Sequence, residues 1–123
     1  MSGNSLIIDT NIALYFLEGD TTLYYTLDGK IIYLSFITEL ELLSYPELTK
    51  YEESIVNEFI NDCIVIDINK EIKKTTIELR NKYRIKIPDA LIAATACYLR
   101  QPFITADKGF KKVDRLNLIF YEK

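Results

Sequence analysis

Four acidic residues stand where acids are costly. Asp9 ends the apolar run "SLIID", Asp89 opens the alanine-rich "PDALIAATA", and Asp107 follows "FIT". A glutamate, Glu39 or Glu41, sits inside the apolar run "SFITELELLSY". A carboxylate taken out of water needs a partner. Each acid has a local reason to be there. Asp9 can cap a following helix. Glu41 can close a capping box with Thr38, since "TELE" has the spacing. Asp89 suits the positive end of a helix. Asp107 can shape a turn before Lys108 and Gly109. Together they have a chemical reason as well. Clustered carboxylates repel one another, and a hard divalent cation such as Mg²⁺ or Mn²⁺ relieves them. Such an ion can activate a water and neutralise a phosphodiester.

Composition narrows the alternatives. The chain has no histidine. That excludes Ser-His-Asp and Cys-His nucleophilic sites and His-ligated zinc. Any chemistry must rest on carboxylates, hydroxyls, lysines or a metal. Cys63 and Cys97 lie in apolar contexts and read as reduced core thiols. Charge is uneven: residues 1–69 hold 12 of the 18 acids but 2 of the 15 basic residues. The basic second half suits an anionic substrate approaching one face, unless folding mixes the halves.

These acids need elements to position them. The 123 residues suit one domain, and about half are hydrophobic, enough for a core. No apolar run reaches the ~18 residues of a membrane span. The start "MSGNSLIID" lacks a basic, then apolar, leader pattern. The expectation is a cytoplasmic protein with no membrane association. "SLIID", "IIYLSF", "CIVIDI", "PFIT" and "LNLIFYE" read as strands. Helices are expected over "TNIALYFLEGD" as far as Gly19, residues 20–29 in part, "TELELLSY", "PELTKYEESIVNEFIND", "NKEIKKTTIELRNKY" and "PDALIAATACYLRQ". The helix over 46–62 has Leu48, Tyr51, Ile55 and Phe59 at helical spacing, and the next has Ile72, Thr76 and Leu79. Pro88 fits a first helical position. Core packing is the default reading for most of the nine tyrosines.

Strands alternating with helices predict an α/β fold with a mainly parallel sheet. In such sheets ligands bind beyond the carboxyl ends of the strands. Asp9 and Asp107 end strands, the glutamate begins a helix leaving one, and Asp89 begins a helix returning to one. All four are then expected on one edge.

In order, "LIIDTNIALYFL", "SFITELELLSY", "PDALIAATA" and "FITADKGF" resemble the four motifs of the PIN-domain ribonucleases, especially VapC-type toxins of bacterial toxin–antitoxin pairs. The four span residues 6 to 110, nearly the whole chain. The resemblance implies a PIN-like three-layer sandwich, α/β, with about five short, mainly parallel strands flanked by helices. It implies catalytic, metal-binding carboxylates at Asp9, Glu41, Asp89 and Asp107, with support from Thr10, Asn11 and Thr105. Aligned on Ser35 to Leu42, it selects Glu41 over Glu39. The implied reaction is metal-dependent endonucleolytic hydrolysis of RNA with one or two Mg²⁺ or Mn²⁺ ions. Implied partners are RNA, a cognate antitoxin that fills the acidic groove, and a second copy in a homodimer. Many relatives carry a further Asp where this chain has Gly109, which weakens a second metal position. Basic residues at 70–86 and 108–115 are the candidates for RNA phosphates, foremost Lys73, Lys74, Lys108, Lys111 and Lys112.

Two rivals stand beside this reading. A catalytically weak PIN-like RNA- or protein-binding module would share the fold and fits Gly109. A phosphoryl-accepting receiver needs an acceptor at the end of its third strand, and Asp67 in "IVIDIN" is the residue on offer.

Overall fold

The computed structural model describes residues 4–123. Met1 to Gly3, part of the start "MSGNSLIID" that lacks a leader pattern, lie outside them. Five strands form one sheet in the order β3-β2-β1-β4-β5. They are β1 (Ser5–Ile8), β2 (Ile31–Ser35), β3 (Ile64–Ile66), β4 (Phe103–Thr105) and β5 (Leu118–Phe120). Every pairing is parallel. Six α-helices connect them: α1 (Thr10–Leu17), α2 (Thr21–Leu27), α3 (Phe36–Leu43), α4 (Lys50–Asp62), α5 (Lys70–Tyr83) and α6 (Ile87–Leu99). The five strands match the sequence reading. A 3-10 turn at Lys108–Lys112, between β4 and β5, was not expected.

The pleat divides the core in two. Ile7 and Phe103 point to one face, where Ile72 and Leu79 of α5 and the alanines of α6 pack on them. Leu6, Ile8, Leu34 and Ile104 point to the other, against Ile12, Leu23, Leu42, Val56 and Ile60 of α1 to α4. Successive strand residues must face opposite ways, so each short strand seeds both layers. Helix α6 is buried from Ala90 through Ala96. Its small side chains let it pack closely into the core.

The order of strands fixes where a ligand can bind. From β1 the chain winds out to β2 and β3, then crosses over to β4 and β5 on the other side. The reversal opens a crevice between β1 and β4 at their carboxyl ends. Asp9 and Asp107 stand at that crevice.

Several sequence expectations need correction. Ser35, not Thr38, caps α3 through its side chain. Thr38 therefore lies inside the helix, and the capping box with Glu41 does not form; the capping box is Thr49 with Glu52 on α4. Helix α4 starts at Lys50, not at Pro46, and buries Val56 and Ile60. Tyr51 is 74% exposed and Ile55 is also exposed. Helix α6 begins one residue before Pro88. None of the nine tyrosines is fully buried, and Tyr24, Tyr25, Tyr45, Tyr51 and Tyr98 are exposed. A phenol buried outright needs a partner for its hydroxyl, so tyrosine settles at boundaries. Cys63 and Cys97 are free thiols, only partly buried. Burial still pushes Cys63 up to about 12 and Cys97 above its ordinary value.

Candidate functional site

Asp9, Glu41, Asp89 and Asp107 line one cleft of about 300 Å³, together with Thr10, Asn11, Leu14, Tyr45 and Ile92. Two of the acids come from the acidic half of the sequence and two from the basic half. Folding thus brings the halves together here.

Asp9 is the buried member, 4% exposed. It fills the N-cap position of α1, where Oδ1 accepts from Ile12 N at 3.0 Å. Its local and its chemical reason therefore coexist on one side chain. Oδ2 accepts from the Thr105 hydroxyl at 2.5 Å. The Thr105 oxygen in turn accepts from Asp107 N at 3.0 Å. One buried hydroxyl thus ties the acid of β1 to the acid after β4. Asp107 Oδ1 accepts from Gly109 N at 2.8 Å, capping the 3-10 turn. A Cβ added at Gly109 would lie 3.1 Å from that oxygen. The glycine lets the turn close tightly on Asp107.

Glu41 is held from the opposite wall. The Thr10 hydroxyl donates to its Oε1 at 2.5 Å. Thr10 Oγ1 also lies 3.1 Å from Thr38 Oγ1. One hydroxyl has one proton, so with that proton on Glu41 the second contact takes its proton from Thr38. Asp89 lies in the first turn of α6, where the positive end of the helix favours a negative charge. Asn11 is exposed on the rim.

The acids resist ionising together. Burial pushes the Asp9 carboxyl up to about 6, and repulsion from Asp107 and Asp89 adds to it. The Thr105 and Ile12 hydrogen bonds oppose that rise without cancelling it. Asp89 is also raised, by burial first and then by repulsion from Asp107 and Glu41. No three Asp, Glu, Cys or His side chains among the described residues stand close enough to hold a metal ion by direct contact alone. The donors are all oxygens, however, and the negative charge is under-compensated. Such a cleft suits a hard divalent cation that keeps part of its water shell and reaches some carboxylates through it.

Thr105 should therefore matter for stability. Thr105→Val removes a donor from Asp9 and an acceptor from Asp107 N. The expected loss is about 2 kcal/mol, read from the denaturant midpoint at unchanged slope.

Other candidates fall elsewhere. Glu39 does not line the cleft. Asp67 follows the edge strand β3, is exposed, and accepts from Ile68 N. It is two strands away from Asp9, which removes the receiver arrangement. Lys73 and Lys74 are exposed on α5, and Lys111 and Lys112 on the 3-10 turn. Only Lys108, next to Asp107, borders the cleft directly in sequence. Leu14, Tyr45 and Ile92 were missed. Leu14 and Ile92 stand three residues on from Asn11 and Asp89, a spacing that puts them on the same helix faces. Tyr45 follows α3, and nothing in the sequence locates it.

The sequence model of the PIN domain family matches residues 6–116. The chain is 32% identical over 81 residues to Ribonuclease VapC2 of Methanocaldococcus jannaschii, an overlap of 64% of this chain and 54% of that protein. It thus spans about half the length of that curated relative. In structure it is similar to a chain of a toxin–antitoxin complex from Klebsiella pneumoniae, with a TM-score of 0.83 and 26% identity, covering 96% of this chain and 99% of that one. It also shares its fold with a chain of VapBC2 from Rickettsia felis bound to a DNA fragment from their promoter, with a TM-score of 0.85 and 23% identity over 96% and 99% of the two chains.

Proposed function

The chain belongs to the PIN domain family, and from that premise we propose that it is a divalent-metal-dependent endoribonuclease, the toxin of a toxin–antitoxin pair. The observation that carries the reading is the single cleft lined by Asp9, Glu41, Asp89 and Asp107. The name of its relative, a ribonuclease, agrees with it. Mg²⁺ or Mn²⁺ held by these carboxylates would supply charge neutralisation and a water of lowered pKa.

The chain's own residues do the rest. Thr105 keeps Asp9 turned toward the cleft and the Asp107 backbone in place. Thr10 fixes Glu41 on the facing wall. Asp9, which burial holds near 6, and Asp89, also raised, must both give up protons before the site reaches full charge. Gly109 leaves the 3-10 turn without the acid many relatives carry there, so a second metal would be held less firmly than the first.

A partner segment has a place to lie. A largely apolar groove of about 390 Å³ shares Leu14 and Tyr45 with the acid cleft and continues over Leu17, Leu42, Leu48, Tyr51, Ile55 and Val56, with Glu18 and Glu52 also lining it. An antitoxin segment in this groove would end at the acids and block them.

The test is cleavage of RNA in Mg²⁺ or Mn²⁺ by the wild-type chain and by Asp89→Asn. Asp89→Asn should lower the rate by at least about a hundredfold, beyond what loss of a supporting residue costs. Activity that survives both Asp89→Asn and Asp9→Asn would refute the assignment. Gly109 favours one second reading, a weak or inactive binding module. Intact RNA with metal-dependent RNA binding would support it.

A further inference from the structure

A basic and aromatic patch lies across the Asp107 loop from the acid cleft. Tyr15, Ala106, Lys108, Phe120, Tyr121, Glu122 and Lys123 line a shallow depression of about 250 Å³, with one carboxylate against two ammonium groups. Cleft and depression share two walls. Helix α1 gives Asn11 and Leu14 to the first and Tyr15 to the second. The loop after β4 gives Asp107 to the first and Ala106 and Lys108 to the second. Neighbouring Cα atoms lie about 3.8 Å apart, so the two sites abut at Asp107.

The patch is built. The Tyr121 hydroxyl lies 2.9 and 2.7 Å from the two carboxylate oxygens of Asp20, the cap of α2. Tyr121 N donates to Thr105 O at 2.7 Å. The chain after β5 is thereby fixed beside the loop that carries Asp107. Two ammonium groups rest on ring faces: Lys123 Nζ is 4.2 Å from the Tyr15 ring centroid, and Lys111 Nζ is 4.0 Å from that of Phe120. A ring face open to a lysine from solvent is open to another flat or cationic group. Three cations therefore gather beside a site that is otherwise all acid. Four carboxylates repel a polyanion, so a strand crossing them needs counter-charge nearby.

We propose that this patch is the subsite for the RNA nucleotide next to the scissile bond, with its phosphate on Lys108 and Lys123 and its base on the Tyr15 ring. Lys123 leaves the ring face for the phosphate, and the base takes its place. Stacking on an aromatic ring accepts any base, so the subsite holds the strand without reading its sequence. The inference rests on the ribonuclease reading of the neighbouring cleft.

The experiment measures binding of a short labelled single-stranded RNA in Mg²⁺, with every protein carrying Asp89→Asn so that the strand stays intact. Lys108→Ala with Lys123→Ala should lower affinity about tenfold or more and reduce the salt dependence by about 0.7, the value for one single-strand phosphate. Lys108→Arg with Lys123→Arg should restore both. Tyr15→Leu should lower affinity about fivefold with the salt slope unchanged. Lys30→Ala, just before β2 and at the amino ends of the strands, should change neither. Both lysines are exposed, so the variants fold. Equal affinity and slope for the lysine pair and its parent would overturn the proposal, as would no RNA binding by the parent. A Tyr15→Leu result equal to the parent would overturn the stacking half. If the wild-type chain cleaves RNA while the lysine pair binds normally, the subsite fails and the ribonuclease reading stands. If it does not cleave, yet the lysine pair binds more weakly, the patch binds RNA but the ribonuclease reading fails, and the placement beside a scissile bond fails with it.

Discussion

Asp9→Asn will abolish RNA cleavage and at the same time raise the melting temperature of the metal-free protein at pH 7. The two effects have one cause. Asp9 is held at about 6 against an ordinary value of 3.8, chiefly by burial. The folded chain keeps a proton there that the unfolded chain has already released. Stability from this group is therefore greatest at low pH, falls as pH rises from about 4 to about 6, and is flat above. The whole fall is about 3 kcal/mol at 1.36 kcal/mol per pKa unit. Asp89 is raised too and adds to the same decline. Asp20, held below its ordinary value first by the Leu23 backbone hydrogen bond, acts below pH 4 with the opposite sign. Its window does not overlap.

Asparagine removes the charge and keeps the shape. Its Oδ1 still accepts from Ile12 N, and the Thr105 hydroxyl can turn to accept from the amide. With one contact sacrificed, the net gain at pH 7 is about 2 kcal/mol, or a rise of roughly 8 °C for a domain of this size. Millimolar Mg²⁺ should raise the wild-type melting temperature by mass action and leave the variant nearly unmoved. Thermal melts at pH 4, 6 and 7, with and without Mg²⁺, read all of this. A variant less stable than the wild type at pH 7 would mean that the Asp9 charge is already compensated in the metal-free chain.

How much of this was legible depended on whether a residue's neighbours in sequence are its neighbours in space. Asp9, Asp89 and Asp107 stand at the ends of short, strongly patterned elements, and a parallel sheet sends all such ends to one edge. Their convergence could be reasoned out. The face of α4 could not. Leu48, Tyr51 and Ile55 are apolar at helical spacing, but they line the exposed groove, while Val56 and Ile60 face the core. Periodicity counts apolar positions without saying which surface each covers. The cap of α3 failed for another reason. Ser35 and Thr38 are both good caps, and what decides is that β2 stays paired through Ser35, opposite Ile66. That pairing lies 31 residues on in sequence. The patch of Tyr15, Lys108, Phe120 and Lys123 joins α1 to the end of the chain, and no local pattern predicts it.

Glu41→Gln will cost cleavage at least about a hundredfold, while Glu39→Gln will leave it within about twofold of wild type. The two glutamates are chemically identical neighbours on one short helix. Residues two apart on an α-helix point ~200° apart, so one cleft can use only one of them. Glu41 lines the cleft and takes the Thr10 hydroxyl at 2.5 Å. Glutamine keeps an oxygen there for Thr10, so the wall of the cleft persists and the measured loss isolates the charge. Glu39 lies in the first turn of α3, where its charge favours the helix end by less than about 1 kcal/mol. Its substitution should move the melting temperature slightly and the rate not at all. Thr10→Val tests the same arrangement from the other side. It leaves the charge of Glu41 and removes its tether, so the rate should fall about tenfold, the low end for a supporting residue. If instead Glu39→Gln is the damaging change, α3 must present its other face to the acids in the working protein, and the tie between Thr10 and Glu41 would not belong to that state.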